Sequence, residues 1–270
     1  MTQTLRPLAI GELLDRTFVY YRRHLVTFIG IAGLPHLFVL AFQLSTIALR
    51  PTGGIAVLTS LCGVAITLIA STFSQGATVV AVSAIQLERP TSIGEAFTRI
   101  QSQLGELIVL ALNIGTRVML GALLLIVPGI LQALKYAIAT PVAILEQNGV
   151  SASLSRSADL TKGHRGRIFV IYLLFAILLL IGSMVWQIPA AVVAGWTIAK
   201  SGVVRPLTSM SWEAQTVVRF GGFVTQAVLS PIMTIGLTLV YYDERIRKEA
   251  FDLEHMIHEL DHAAAASPSA

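Results

Sequence analysis

Long apolar runs alternate with short amphipathic segments along this chain. Six runs come near the ~20 residues needed to cross a ~30 Å hydrocarbon core: Leu25 to Leu49, Ile66 to Leu87, Leu107 to Val127, Gly129 to Leu145, Ile168 to Ile188, and Phe220 to Tyr242. The uncharged run from Pro51 to Leu87 exceeds one crossing, so Ile55 to Ala65 is expected as a separate short segment. The run from Ile168 to Ala199 is also too long, with Pro189 as the expected break. The predicted fold class is all-α: a polytopic membrane helix bundle of about six transmembrane helices.

The amphipathic segments resemble one another. Ile10-Gly11-Glu12-Leu13-Leu14-Asp15-Arg16 returns as Ile93-Gly94-Glu95-Ala96-Phe97-Thr98-Arg99, and more weakly as Val150-Ser151-Ala152-Ser153-Leu154-Ser155-Arg156. Each copy precedes an apolar stretch, which predicts three like units. They cover about 8–87, 91–145 and 149–242, followed by a C-terminal helix over 243–262. Together 1–262 form a single membrane domain, with a disordered tail at 263–270.

Composition supports the bilayer. The 270 residues are 54% hydrophobic and 13% charged, about half the charged fraction of soluble domains, and mean hydropathy is +0.74. The single cysteine, Cys62, excludes an internal disulfide. The first apolar run is too long for the core of a cleavable signal and reads as a retained span. The net charge of +4 is no nucleic-acid signature.

Basic residues set the expected orientation. Arg6, Arg16, Arg22, Arg23, Arg89, Arg99, Arg156, Lys162, Arg165, Arg167, Arg245, Arg247 and Lys248, 13 of the 19, fall on one side. Arg50, Lys200, Arg205 and Arg219 fall on the other. The positive-inside rule puts both termini in the cytoplasm. Trp186, Trp196 and Trp212 mark the outer interface, and Tyr20, Tyr21, Tyr172, Tyr241 and Tyr242 the inner one. The amphipathic helices are expected to lie flat in the inner interface, with Arg16, Arg22, Arg23, Arg99 and Arg156 near anionic headgroups. The plain alternative is that they pad helix ends. Glu12 with Arg16, and Glu95 with Arg99, have the spacing of helix-stabilising pairs.

Two cations interrupt the apolar runs. Arg117 and Lys135 flank the Val127-Pro128-Gly129 turn, and every acidic residue reads as lying outside the spans. An unpaired intramembrane cation costs ~3 kcal/mol even on lenient scales. A shared anionic ligand, such as a lipid phosphate, would satisfy both; snorkelling to the outer interface is the alternative. His36, Gln43, Gln75, Asn113 and Gln132 are candidates to line a cavity or to bond between helices. His255, His258 and His262 share a helical face but read as part of a solvated helix, so no metal site is assigned. No P-loop, dinucleotide fingerprint, zinc-protease motif or nucleophile elbow appears, and no cofactor is implied.

Four motifs carry a resemblance. The opening is Arg6-Pro7-Leu8-Ala9 through Arg16, with Tyr21-Arg22-Arg23 after it. The middle is Val127-Pro128-Gly129-Ile130 with Pro141 to Glu146. The third is Ser157 followed by Leu160-Thr161-Lys162-Gly163-His164. The close runs from Tyr241-Tyr242-Asp243-Glu244-Arg245 to Glu254. In these the chain resembles a bacterial membrane-protein family related to the membrane domain of glycerophosphoryl diester phosphodiesterases. His164-Arg165-Gly166 matches a triplet of that family's catalytic domain, but here it reads as coincidence. The chain has no room for the catalytic barrel, so the resemblance implies a stand-alone membrane domain without hydrolysis.

The expected function is therefore non-enzymatic. It is a multi-pass protein of a bacterial cytoplasmic membrane that binds anionic lipid, partner proteins or a second copy of itself, in a membrane-organising or envelope-related role. A transporter or channel for a small anion or lipid is the second reading. An intramembrane enzyme is the third, and it requires a histidine and a carboxylate at one depth.

Overall fold

A computed structural model describes residues 8–201 and 211–266. Among them every element is an α-helix: α1 (Ile10–Arg23), α2 (Leu25–Leu49), α3 (Gly53–Gln86), α4 (Ile93–Gln101), α5 (Leu104–Leu124), α6 (Ile126–Lys135), α7 (Ala139–Glu146), α8 (Gly149–Thr161), α9 (Arg165–Val185), α10 (Gln187–Ser201) and α11 (Trp212–Ala266). By length and composition six segments suffice to cross a membrane: α2, α3, α5, α6 with α7, α9 with α10, and α11 up to Glu249. The protein is an all-helical, multi-pass membrane protein. The three amphipathic segments form α1, α4 and α8, each followed at once by an apolar helix.

The repeated Ile-Gly-Glu has a local cause. In α4 the Ser92 side chain accepts from the Glu95 N–H at 3.2 Å, and the Glu95 carboxylate accepts from the Ser92 N–H at 2.9 Å. This is a reciprocal capping box, in which glutamate at the third helical position satisfies a donor the helix cannot. Glu12 does half of the same work for α1, accepting from the Ala9 N–H at 3.0 Å. Glu95 thus closes its own helix start, which the expected pairing with Arg99 did not anticipate.

Four boundaries differ from the hydropathy reading. α3 is one continuous helix of 34 residues, not a short segment plus a span. Pro51, Gly53 and Gly54 all lie at or before its first turn, and no proline follows inside it. At 1.5 Å per residue it is about 51 Å long, well beyond one hydrocarbon core. α9 and α10 break at Trp186, ahead of Pro189, which sits in the first turn of α10 where proline costs least. The fourth expected span is interrupted between Lys135 and Ala139. There the Lys135 carbonyl, freed from the helix ladder, accepts from Ser157 Oγ at 3.1 Å and Thr161 Oγ1 at 3.2 Å of α8. Finally, α11 continues past 262 to Ala266.

α1 packs lengthwise on α11. The Leu8 N–H donates to Asp243, Thr17 lies beside Gly236, and the Tyr21 hydroxyl donates to the Val228 carbonyl at 2.7 Å. α1 therefore runs antiparallel along α11. Its buried stripe, Leu13, Thr17 and Tyr21, falls at four-residue spacing, and burial pushes the Tyr21 phenol pKa up.

α2 packs against both α3 and α11, and α9 runs antiparallel to α11, with Gly182 beside Leu229, Phe175 beside Gly236 and Arg167 beside Asp243. Glycines admit the close approaches: Gly236 meets the Phe175 ring, and Gly76 sits against Ile100 and Leu107. Burial is concentrated at one end of the bundle, here the collar end. Ala77 and Val79 to Val82, Ile138 to Ala139, Leu160, Ile168, and Leu239 to Tyr241 are all buried there. The opposite end, holding Val57, Leu61, Val64 and Ile188, exposes its aliphatic side chains, as lipid-facing helices do.

Candidate anion site and the ionic network beside it

Two groups of charged side chains occupy the collar end. The first is a closed network. Asp243 and Glu244 of α11 are 2% and 0% exposed. Asp243 accepts from the Leu8 N–H at 2.6 Å, from Arg247 Nε at 2.8 Å, and from Arg167. Arg167 also reaches Glu244 at 3.4 Å and the Leu8 carbonyl at 2.8 Å, and Arg247 donates to that same carbonyl at 2.7 Å. His164 Nδ1 lies 2.6 Å from Glu244 Oε2. Beside this, Glu146 of α7 accepts from the Tyr241 hydroxyl at 3.0 Å and from Arg156 Nε at 3.4 Å. Arg156 also meets Glu249 at 2.5 Å.

Several expectations change here. Asp243 and Glu244 lie in the packed interior, although all acids were expected at loops and interfaces. Arg156 is held by two carboxylates, Glu146 and Glu249. Arg22, Arg23 and Arg99 are exposed and Arg16 is partly so, and the structure brings them to no common site. His164 is engaged with a carboxylate, so its contact supplies the histidine and acid at one level that the enzyme reading required. Arg167 shares that carboxylate, however, and the pair lies within the closed network. The four motifs quoted for the family resemblance meet here through Leu8, Glu146, His164 and the Tyr241–Arg247 stretch.

The second group is open. Arg117 of α5, Lys135 of α6, Lys162 at the end of α8 and Arg165 at the start of α9 line one cavity of about 410 Å³, together with Tyr136, Ser151, Ser155 and Asp159. Arg117 Nη1 donates to the Tyr136 hydroxyl at 3.1 Å. The Arg117 guanidinium and the Lys135 ammonium lie 5.6 and 5.3 Å from the centre of the Tyr136 ring, within range of cation–π attraction. Arg165 Nε is buried and has no acceptor. Asp159 is the one acidic side chain in the lining.

Arg117 and Lys135 line one cavity. They turn toward α8 and the start of α9, not toward the far interface that snorkelling required. The residues missed were Lys162 and Arg165, which read as ordinary flanking charges. Four cations facing one carboxylate favour an anion with several oxygens: Arg offers forked donors and Lys a compact charge.

The polar residues expected to line an intramembrane cavity do not converge. His36 Nδ1 contacts the Ala32 carbonyl, Asn113 donates to the Val109 carbonyl at 3.4 Å, and Gln132 Oε1 is buried without a partner. Gln43 instead lines a separate cavity of about 720 Å³ toward the far end, with Thr59, Thr67 and Arg219. The side chains of His255, His258 and His262 lie outside the described residues. Among the described residues no three His, Cys, Asp or Glu side chains are arranged to hold a metal ion.

Comparison with known proteins returns no matching family model, no matching curated protein and no matching solved structure.

Proposed function

We propose that this is a non-enzymatic membrane protein that holds the headgroup of an anionic lipid in the cavity formed by Arg117, Lys135, Lys162 and Arg165. The observation that carries the reading is the excess of four basic side chains over one acid in a single cavity. A bundle in lipid reaches such an imbalance at low cost when an anion is close by. The cavity lies where basic residues are dense, so the reading also keeps the cytoplasmic placement of both termini in a bacterial inner membrane. A membrane-organising or envelope-related role fits a protein that holds lipid without reacting with it, and the family resemblance is retained on the same terms.

The test is retention of phosphatidylglycerol by the purified protein, with inorganic phosphate as competitor. Replacing both Arg117→Ala and Lys135→Ala is expected to cut retention about a hundredfold, at roughly 1.4 kcal/mol per tenfold step. Unchanged retention overturns the proposal. Displacement by phosphate alone would point to a free anion as the ligand.

The transporter reading draws support from the second polar cavity, near Gln43 and Arg219. The two cavities share no lining residue, which weighs against one continuous path. Phosphate flux in proteoliposomes separates the readings.

A further inference from the structure

The geometry points to the α5–α6 hairpin as a wedge that enters one leaflet without crossing the membrane. The partner surface is the acyl layer of that leaflet. The chain then crosses four times, through α2, α3, α9 and α11, and inserts once.

The first argument is length. Arg117 and Lys135 meet at the cation cavity, the hydroxyl of Tyr136 bonding Arg117. From Arg117 to the end of α5 at Leu124 is about 10 Å, and from Lys135 back to the start of α6 at Ile126 is about 14 Å. Whatever its tilt, the tip lies no more than roughly half a ~30 Å core beyond the cavity. α9 starts at the same cavity with Arg165, and its 21 residues extend about 31 Å, enough to cross. A helix that begins at this level can span; the hairpin cannot.

The second argument is the chemistry of the tip. Residues 118–131 contain no polar side chain. Leu123, Leu124, Leu125, Ile126 and Val127 are consecutive, with Leu123 83% and Ile126 75% exposed. A hairpin that crossed would present its turn to water, as the Arg50-Pro51-Thr52-Gly53 link between α2 and α3 does. Five consecutive exposed aliphatic residues held in water would oppose the hydrophobic effect that drives them into lipid. The turn is a single extended residue, Leu125, and a side chain on Gly129 would collide with Ala122. The backbones are therefore nearly in contact, and the tip is narrow and stays helical up to one residue. That suits a lipid environment in which backbone groups must be bonded within the protein.

The third argument is what the hairpin leans on. Its main packing partners are α3, α7, α8 and α9. Before Arg117 one face of α5, with Leu107 and Leu110, is buried in the collar core, while Val109 and Leu112 on the other face are exposed. After it, Met119, Leu120 and Leu123 are exposed. α5 leaves the protein interior and enters lipid at the level of the cations.

This inference shares with the proposed function the headgroup level of the cavity, but not the identity of any bound lipid. The test places a bimane fluorophore on Leu124→Cys in a Cys62→Ser background, in liposomes carrying spin-labelled lipids. Ile126→Cys, also exposed and at the tip, is a second reporter in case the first variant does not fold. Strongest quenching of the tip by a label near the acyl chain terminus, with no labelling by an impermeant maleimide from either side, is the expected result. Strongest quenching at the opposite headgroup, with labelling from that side, would mean that α5 and α6 cross, and it overturns the wedge. Quenching at the near headgroup overturns it as well. Loss of phosphatidylglycerol binding in the Arg117→Ala, Lys135→Ala protein moves none of these depths, so the two proposals fail separately.

Discussion

The closed network and the open cavity sit side by side at the collar end, are built from the same residue types, and differ in how their charges are matched. Asp243 and Glu244 meet Arg167, Arg247 and His164, with the Leu8 backbone completing the donors and acceptors. Arg117, Lys135, Lys162 and Arg165 share a cavity with a single acid, Asp159. Matched buried charges hold segments in register but leave nothing for a ligand to satisfy. Unmatched ones leave a field that an anion can answer. The network ties α1, α9 and α11 together, whereas the cavity lies where α5, α6, α8 and α9 converge on space.

The largest effect is expected from breaking the match. Glu244→Ala leaves His164 and part of Arg167 without their acid. Removing one member of a buried pair costs about 3–5 kcal/mol, so the thermal unfolding midpoint in detergent should fall sharply. A loss below about 1 kcal/mol would place the network among weak surface pairs and remove its structural role. Retention of phosphatidylglycerol by whatever fraction stays folded should be unchanged.

A medium effect is expected from creating a match where none exists. Ser155 lines the cavity and is exposed, so Ser155→Glu supplies an internal carboxylate. Phosphatidylglycerol retention should drop about tenfold, or ~1.4 kcal/mol, while the unfolding midpoint holds or rises. Unchanged retention with an intact fold would show that the anion sits elsewhere.

The two groups were unequally legible in the sequence. Arg117 and Lys135 stand out because a charge inside an apolar run has no cheap explanation. Lys162 and Arg165 do not, because a basic residue just before a span is what membrane orientation supplies anyway. Asp243 and Glu244 were invisible as interior residues: their partners Arg167 and His164 lie 76 and 80 positions away, and only the antiparallel packing of α9 on α11 brings them together. The helical class followed from run lengths alone. The break after Lys135 did not, because it depends on Ser157 and Thr161 of another helix accepting the role of partner to a freed carbonyl. The Ile-Gly-Glu recurrence was visible, but its meaning was local, with glutamate serving as a cap.

Arg156 tests where the boundary between the two groups falls, and its effect should be the smallest. By sequence it belonged with the headgroup arginines; in the fold it bridges Glu146 and Glu249. Its side chain is 36% exposed and Glu249 is 41% exposed, so water screens much of the attraction. Exposed pairs contribute about 0.2–1 kcal/mol, and Tyr241 continues to satisfy Glu146 when Arg156 is lost. Arg156→Gln should therefore lower stability by less than about 1 kcal/mol and leave phosphatidylglycerol retention untouched. A clear loss of retention without a loss of stability would move Arg156 into the cavity's field. The lipid would then extend from the Arg117 side across α8, and the matched and unmatched groups would form one continuous surface.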